Sequence, residues 1–126
     1  MKHLILLLMS LSLNCFAHDD GGTLGEEEKA VDYFLVSCSA DTDRMYFSIS
    51  TSNKSPLLSA QVSKGNFVTN IIPSRGGVEI IQGNGNYRIL VNKNGIGKVD
   101  YSFVYHCENN GEHTDTEIFE YRQADL

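Results

Sequence analysis

The sequence predicts an all-β domain, a small antiparallel β-sandwich of about seven or eight strands stapled by one disulfide. Three observations carry that expectation. Apolar and polar residues alternate in short runs between Tyr33 and Arg122, the period of strands with a buried face. Clusters of Gly, Asn and Asp separate those runs, as turns do between antiparallel strands. No stretch after residue 31 keeps a helical apolar period over successive turns.

Each element has its own signal. Phe34, Val36 and Cys38 alternate with Tyr33, Leu35 and Ser37, apolar on both sides, which suits a central strand. Met45, Phe47 and Ile49 alternate with Tyr46, Ser48 and Ser50 and suit a half-buried one. Ala40-Asp41-Thr42-Asp43 between them reads as the turn of a first hairpin. Leu58, Ala60 and Val62 mark a third strand, Phe67 to Ile72 a fourth and Val78 to Ile81 a fifth. The turn residues Gly83-Asn84-Gly85-Asn86 lead into Tyr87, Ile89 and Val91, and Asn94-Gly95 ends that strand. Val99, Tyr101, Phe103, Tyr105 and Cys107 form the clearest alternation in the chain. Asn109-Asn110-Gly111 turns again, and Thr116 to Arg122 is the last strand.

The N-terminus reads as an address. Lys2 and His3 precede an apolar run from Leu4 to Leu13, and Cys15-Phe16-Ala17 places small residues where signal peptidase reads. Residues 1–17 are therefore expected to be a signal peptide cleaved after Ala17, rather than a buried helix. Ser12-Leu13-Asn14 before Cys15 fits a lipoprotein cleavage pattern poorly. Residues 18–30, HDDGGTLGEEEKA, offer one large apolar side chain, Leu24, and are expected to form a flexible acidic leader. A helical turn over Glu26–Val31 is the alternative. Residues 31–126 then make a single β-sandwich domain.

Of three cysteines, the signal peptide takes Cys15 and leaves Cys38 and Cys107. In an oxidising compartment such an isolated pair reads as one disulfide. Cys107 shares a strand face with Tyr101 and Phe103, so the bridge is expected to point into the core and to pin the first core strand to the penultimate one.

Charge narrows the partners. A formal net charge of −6, made more negative once Lys2 is removed, disfavours nucleic acid and anionic membranes. No apolar run after the signal is long enough to span a bilayer as a helix.

Few residues carry chemistry. His106 and Cys107 are adjacent on one strand, so they point to opposite faces and make a poor zinc pair with His113. A hydrolase reading from Ser102, His106 and Asp100 or Asp115 fails on distance, since Ser102 and His106 lie about 13 Å apart along a strand. Gly83-x-Gly85 sits between strands and not before a helix, so it is a turn and not a phosphate loop. The acidic run Asp19, Asp20 and Glu26–Glu28 lacks the spacing of a calcium loop. No catalytic residue and no cofactor is expected.

His18 becomes the first residue if cleavage follows Ala17, and a free amine beside an imidazole chelates copper(II). In this it resembles the N-terminal His of periplasmic copper-resistance sandwiches and of copper polysaccharide monooxygenases. That resemblance implies a copper site at His18, and Asp19, Asp20, His106 and His113 are the residues available to complete it. Residues 85–103, with Gly85-x-Tyr87-x-Ile89-x-Val91 and a Tyr-bearing strand, look like the closing strands of bacterial pre-peptidase C-terminal domains, which implies a small secreted sandwich and adds nothing on activity.

The sequence thus predicts an exported, non-enzymatic binding or accessory protein of the bacterial cell envelope, inhibitor-like or immunity-like toward a basic macromolecular partner. The alternative is a periplasmic copper-binding protein using His18. The expected contact surface is the loop carrying Glu108, Glu112, His113 and Asp115. Loops on a sandwich carry binding while strands hold them, and His113 is able to change charge between about pH 5 and 8.

Overall fold

The structure, a computed structural model, describes residues 18–122. The expected signal peptide, its cleavage site and Cys15 lie outside the described residues.

The described chain forms two antiparallel sheets. Its strands are β1 (His18–Leu24), β2 (Asp32–Cys38), β3 (Arg44–Ser50), β4 (Leu58–Lys64) and β5 (Phe67–Ile71). After a 3-10 turn at Pro73–Arg75 come β6 (Val78–Ile80), β7 (Gly85–Lys93), β8 (Val99–Asn109), β9 (Glu112–His113) and β10 (Thr116–Arg122). One sheet has the order β1-β8-β3-β6, with β9 also on β8; the other runs β10-β2-β7-β4-β5.

Alternation explains the core. Phe34 and Val36 of β2, Ala60 and Val62 of β4, and Tyr87, Ile89 and Val91 of β7 are buried on one sheet. Met45, Phe47 and Ile49 of β3 face them with Tyr101, Phe103 and Tyr105 of β8. Phe103 is central, with its ring 4.8 Å from Phe34 in the facing sheet and 5.4 Å from Phe47 beside it, at distances where aromatic pairs add to simple burial. Burial pushes the Tyr87 and Tyr105 hydroxyls up to about 12, and Tyr87 donates its proton to the Gly83 carbonyl at 2.6 Å.

The disulfide is present. Cys38 of β2 and Cys107 of β8 are bridged with Cα atoms 5.6 Å apart, and both are buried. The bridge ties one sheet to the other, as expected from the face Cys107 shares with Phe103. At the opposite end of the sheets two buried polar side chains act in the same sense. Tyr101 donates its hydroxyl to the Asp32 carboxylate across the sheets, and Lys93 donates to the carbonyls of Gly25 and Gly97, clamping two loops together. Each buried charge thus has hydrogen-bonding partners, the condition under which burial is tolerated.

Two expectations need correction. The run at 33–50 is not a hairpin, because β2 and β3 belong to different sheets. Both flanks of β2 are taken by β10 and β7, and both flanks of β3 by β8 and β6, so residues 39–43 cross the gap of about 10 Å between packed sheets. Turn residues look the same in a hairpin and in such an arch. The second correction concerns residues 18–30. Instead of a flexible leader throughout, residues 18–24 form β1, paired with β8 from His18↔Tyr105 to Leu24↔Val99. The pairing is carried by backbone, with Leu24 buried as its anchor. A turn closed by Ala30 N–H donating to Glu27 O at 3.1 Å follows. The remaining expected strands correspond to β4–β8 and β10.

Candidate functional site

At one end of the two sheets, the end that holds the disulfide, the loops 39–43, 81–84, 110–111 and 114–115 come together. They are cross-tied through their backbones. The N–H of Asp43 donates to Glu108 O at 2.9 Å, that of Gly83 to Asp43 O at 2.9 Å, and that of Ser39 to Asp115 O at 3.1 Å. Side chains add further ties, with Asn84 Nδ2 donating to Ala40 O, Asn109 Nδ2 donating to Asp41 O, and the hydroxyls of Thr42 and Thr114 2.6 Å apart. Backbone groups that would otherwise face water are thereby used to fix these loops against one another.

The β8–β9 hairpin forms the rim. Asn110 and Gly111 have φ of 50° and 79°, the left-handed pair of a tight hairpin turn, which Asn-Gly adopts more readily than most dipeptides. Between this hairpin and the 39–43 loop lies a hollow of about 320 Å³ lined by Asp41, Asn109, Asn110, Glu112, His113 and Thr114. Its lining offers two carboxylates, two carboxamides and an imidazole. Such a surface accepts hydrogen bonds from a cation and suits a charged side chain better than an apolar ligand.

The outer face of the β1-β8-β3-β6 sheet adjoins the hollow. There the rings of Tyr46, His106 and His113 form a stack, with centroids 4.8 Å and 4.3 Å apart. His106 Nε2 lies 3.0 Å from Glu108 Oε2. Beside them Arg44 pairs with Glu79 at 2.9 Å and Asp43 at 3.1 Å. Its guanidinium, and then the Glu108 carboxyl, hold Glu79 below the usual carboxylate range. These Arg44 pairs are partly open to solvent, where ion pairs contribute little to stability.

The residues expected in the contact loop separate into three groups. Glu112 and His113 line the hollow. Asp115 is exposed but outside its lining. Glu108 is not a surface contact: it is buried, with 6% of its surface exposed, and turned toward His106. It lies on the outer sheet face, where the stacked rings and the hairpin cover it. Asp41 was not among the expected contacts. It stands far from Glu112 in sequence, and only the arch between the sheets brings the two to one hollow. The acidic composition of 41–43 was its one visible signal.

His18 does not join His106 and His113. It lies opposite Tyr105 in the β1–β8 register and its ring stacks on that residue at 5.5 Å, so it is on the core side of the sheet, whereas His106 points to the outer face. Ser102 Oγ is 2.8 Å from Ser50 Oγ, and Asp100 accepts the Thr23 hydroxyl at 2.5 Å. Ser102, His106 and Asp100 therefore each have other partners. A second hollow, of about 250 Å³, lies at the opposite end between Leu57, Leu58, Ile72 and Pro73. Of the polar residues that line it, Thr51 and Asn53 are engaged with the Asp100 backbone, and Lys54 and Ser74 complete the lining.

No family model, curated protein or solved structure matches this chain. The functional reading therefore rests on the geometry of the acidic end.

Proposed function

We propose that this is an exported, non-enzymatic binding module whose acidic loop end takes a cationic side chain of a macromolecular partner. The observation that carries the reading is the hollow between Asp41 and Glu112. A Lys or Arg seated there exchanges water for charge-assisted hydrogen bonds to two carboxylates, the stronger class of such bonds. The volume is at the lower end of ligand clefts and suits one long side chain rather than a large cofactor. Cross-tied loops above a disulfide leave little ordering for binding to cost, and the net charge of −6 favours encounter with basic partners at low salt. Basic envelope proteins, such as wall-directed enzymes or toxins, are the partner class in view.

The binding arm of the proposal is tested with a tri-arginine peptide titrated calorimetrically into the protein. Asp41→Asn with Glu112→Gln should weaken binding by about tenfold or more, one to two charge-assisted bonds being lost. Neutralising Glu26, Glu27 and Glu28 together at the far end serves as the control. Equal losses in both variants would reduce the interaction to overall charge and remove the site.

Location is the second arm. The leader pattern of residues 1–17 and the use of both remaining cysteines in a disulfide support export to the periplasm or beyond. Intact-mass analysis of the protein from its own host should find a chain beginning at His18. A chain still carrying residues 1–17 would sink this arm.

A further inference from the structure

We propose that the stacked pair His106–His113 is a pH-sensitive latch that holds the β8–β9 hairpin, and with it the Asp41–Glu112 hollow, in place at neutral pH and releases it in mild acid. The regulatory consequence rests on the docking reading above; the latch itself does not.

Among the described residues, strand β9, two residues long, pairs with β8 alone, through Glu108↔His113 and Asn109↔Glu112. Its ladder is therefore short, and just beyond it the chain is tied by Ser39 N–H to Asp115 O and by the paired hydroxyls of Thr42 and Thr114. His113 lies flat on His106, with ring planes 20° apart, and Thr114 N–H donates to Cys107 O at 2.9 Å. His106 is itself sandwiched, with Tyr46 on its other side. Tyr46 in turn roofs Gly77, where an added Cβ would come within 2.0 Å of the Tyr46 hydroxyl. A change in charge on His106 is thus felt directly by the ring that anchors β9.

The surroundings favour neutral His106. With Nε2–H donated to Glu108, the ring leaves a bare acceptor at Nδ1, which is buried and has no hydrogen-bond partner among the described residues. Protonation places a donor there with nothing to accept it. It also sets a positive ring 4.3 Å from the imidazole of His113. The other groups on this face are Arg44 and Tyr46 from β3, Glu79 from β6 and Asp19 from β1, opposite Val104, whereas Glu112, paired with Asn109, lies on the other face of β9. Arg44 opposes the imidazolium, and it engages Glu79, the carboxylate that with Glu108 would favour it. The outcome is a His106 held below its ordinary value, chiefly by burial, with the Glu108 hydrogen bond acting the other way and His113 adding to the depression.

The sign follows. An opened hairpin exposes His106 and moves it back toward its ordinary value of about 6.5, so below that value the open state binds more protons than the closed one. The latch is at full strength above about pH 6.5 and weakens as pH falls toward the folded value.

Amide hydrogen exchange followed by NMR between about pH 7.5 and about pH 5 tests this on the protein alone. After correction for intrinsic rates, protection of the Thr114 amide should fall on acidification, about tenfold for each unit by which His106 is depressed. The Ile89 amide, on a central strand, should keep its protection. His106→Phe retains a ring that does not titrate, and Thr114 protection should become independent of pH. His113→Phe, at an exposed position, removes the like charge and should weaken the acid loss, so the question is decided even if His106→Phe folds poorly. Thr114 protection that is flat in the unmodified protein, or that falls equally in His113→Phe, would overturn the latch. No partner enters the measurement, so its failure leaves the docking proposal standing, and failure of the peptide titration leaves the latch standing.

Discussion

Replacing Cys38 and Cys107 together with Ala is expected to remove about 4 kcal/mol of stability, the chain-entropy value for a long closed loop. The two residues are 69 apart in sequence and join one sheet to the other. Without the bridge, the sheets are joined by loops, packing contacts and hydrogen bonds such as that from Tyr101 to Asp32. A domain of this size has only on the order of 5–15 kcal/mol in total, so the variant should unfold at markedly lower denaturant concentration, and reduction of the unmodified protein should do the same. Chemical denaturation with and without reductant measures the difference. A loss below about 1 kcal/mol would mean that the unfolded chain is already restrained, or that the bridge adds little to the packed core.

Gly21→Ala should cost about 1–3 kcal/mol, the usual range for forcing atoms into an occupied space. A Cβ at Gly21 would lie 2.4 Å from the Tyr101 carbonyl oxygen and 3.0 Å from Ser102 Cα. Both are backbone atoms of β8 and do not rotate away. Either β1 lifts from β8 or the ladder distorts. Gly25, whose added Cβ meets nothing within 4 Å, provides the comparison, and Gly25→Ala should change stability far less. Thermal unfolding of the two variants checks the pair, since about 1 kcal/mol moves the midpoint by about 4–8 °C in a domain near this size. Equal midpoints would show that β1 does not need the close approach.

The same glycine explains what the sequence hid. β3, β4, β7 and β8 were legible because side-chain burial drives them, and each burial pattern is written as alternation. β1 has no such pattern. Its residues HDDGGTL are held by backbone pairing and by the absence of a side chain at Gly21, which polar composition disguises as a flexible tail. The disulfide was legible from count and strand face. The arch at 39–43 was not, because Asp, Thr and Ala serve a hairpin and a crossing equally. That ambiguity carried over to the site. Glu112 and His113 could be chosen from the Asn-Gly turn beside them, but Asp41 joins them only through the topology. Glu108 looked like one more surface acid until its place beneath the His106–His113 stack was known.

The central claim is that cationic recognition is confined to the disulfide end of the molecule. The most direct measurement is an NMR titration of the isotope-labelled protein with the tri-arginine peptide, reading amide shifts along the whole chain. The account predicts changes at Asp41, at Asn109 to Thr114 and at neighbours tied to them, saturating together. Changes spread evenly over the acidic residues, or centred on Glu26–Glu28 at the opposite end, would contradict it.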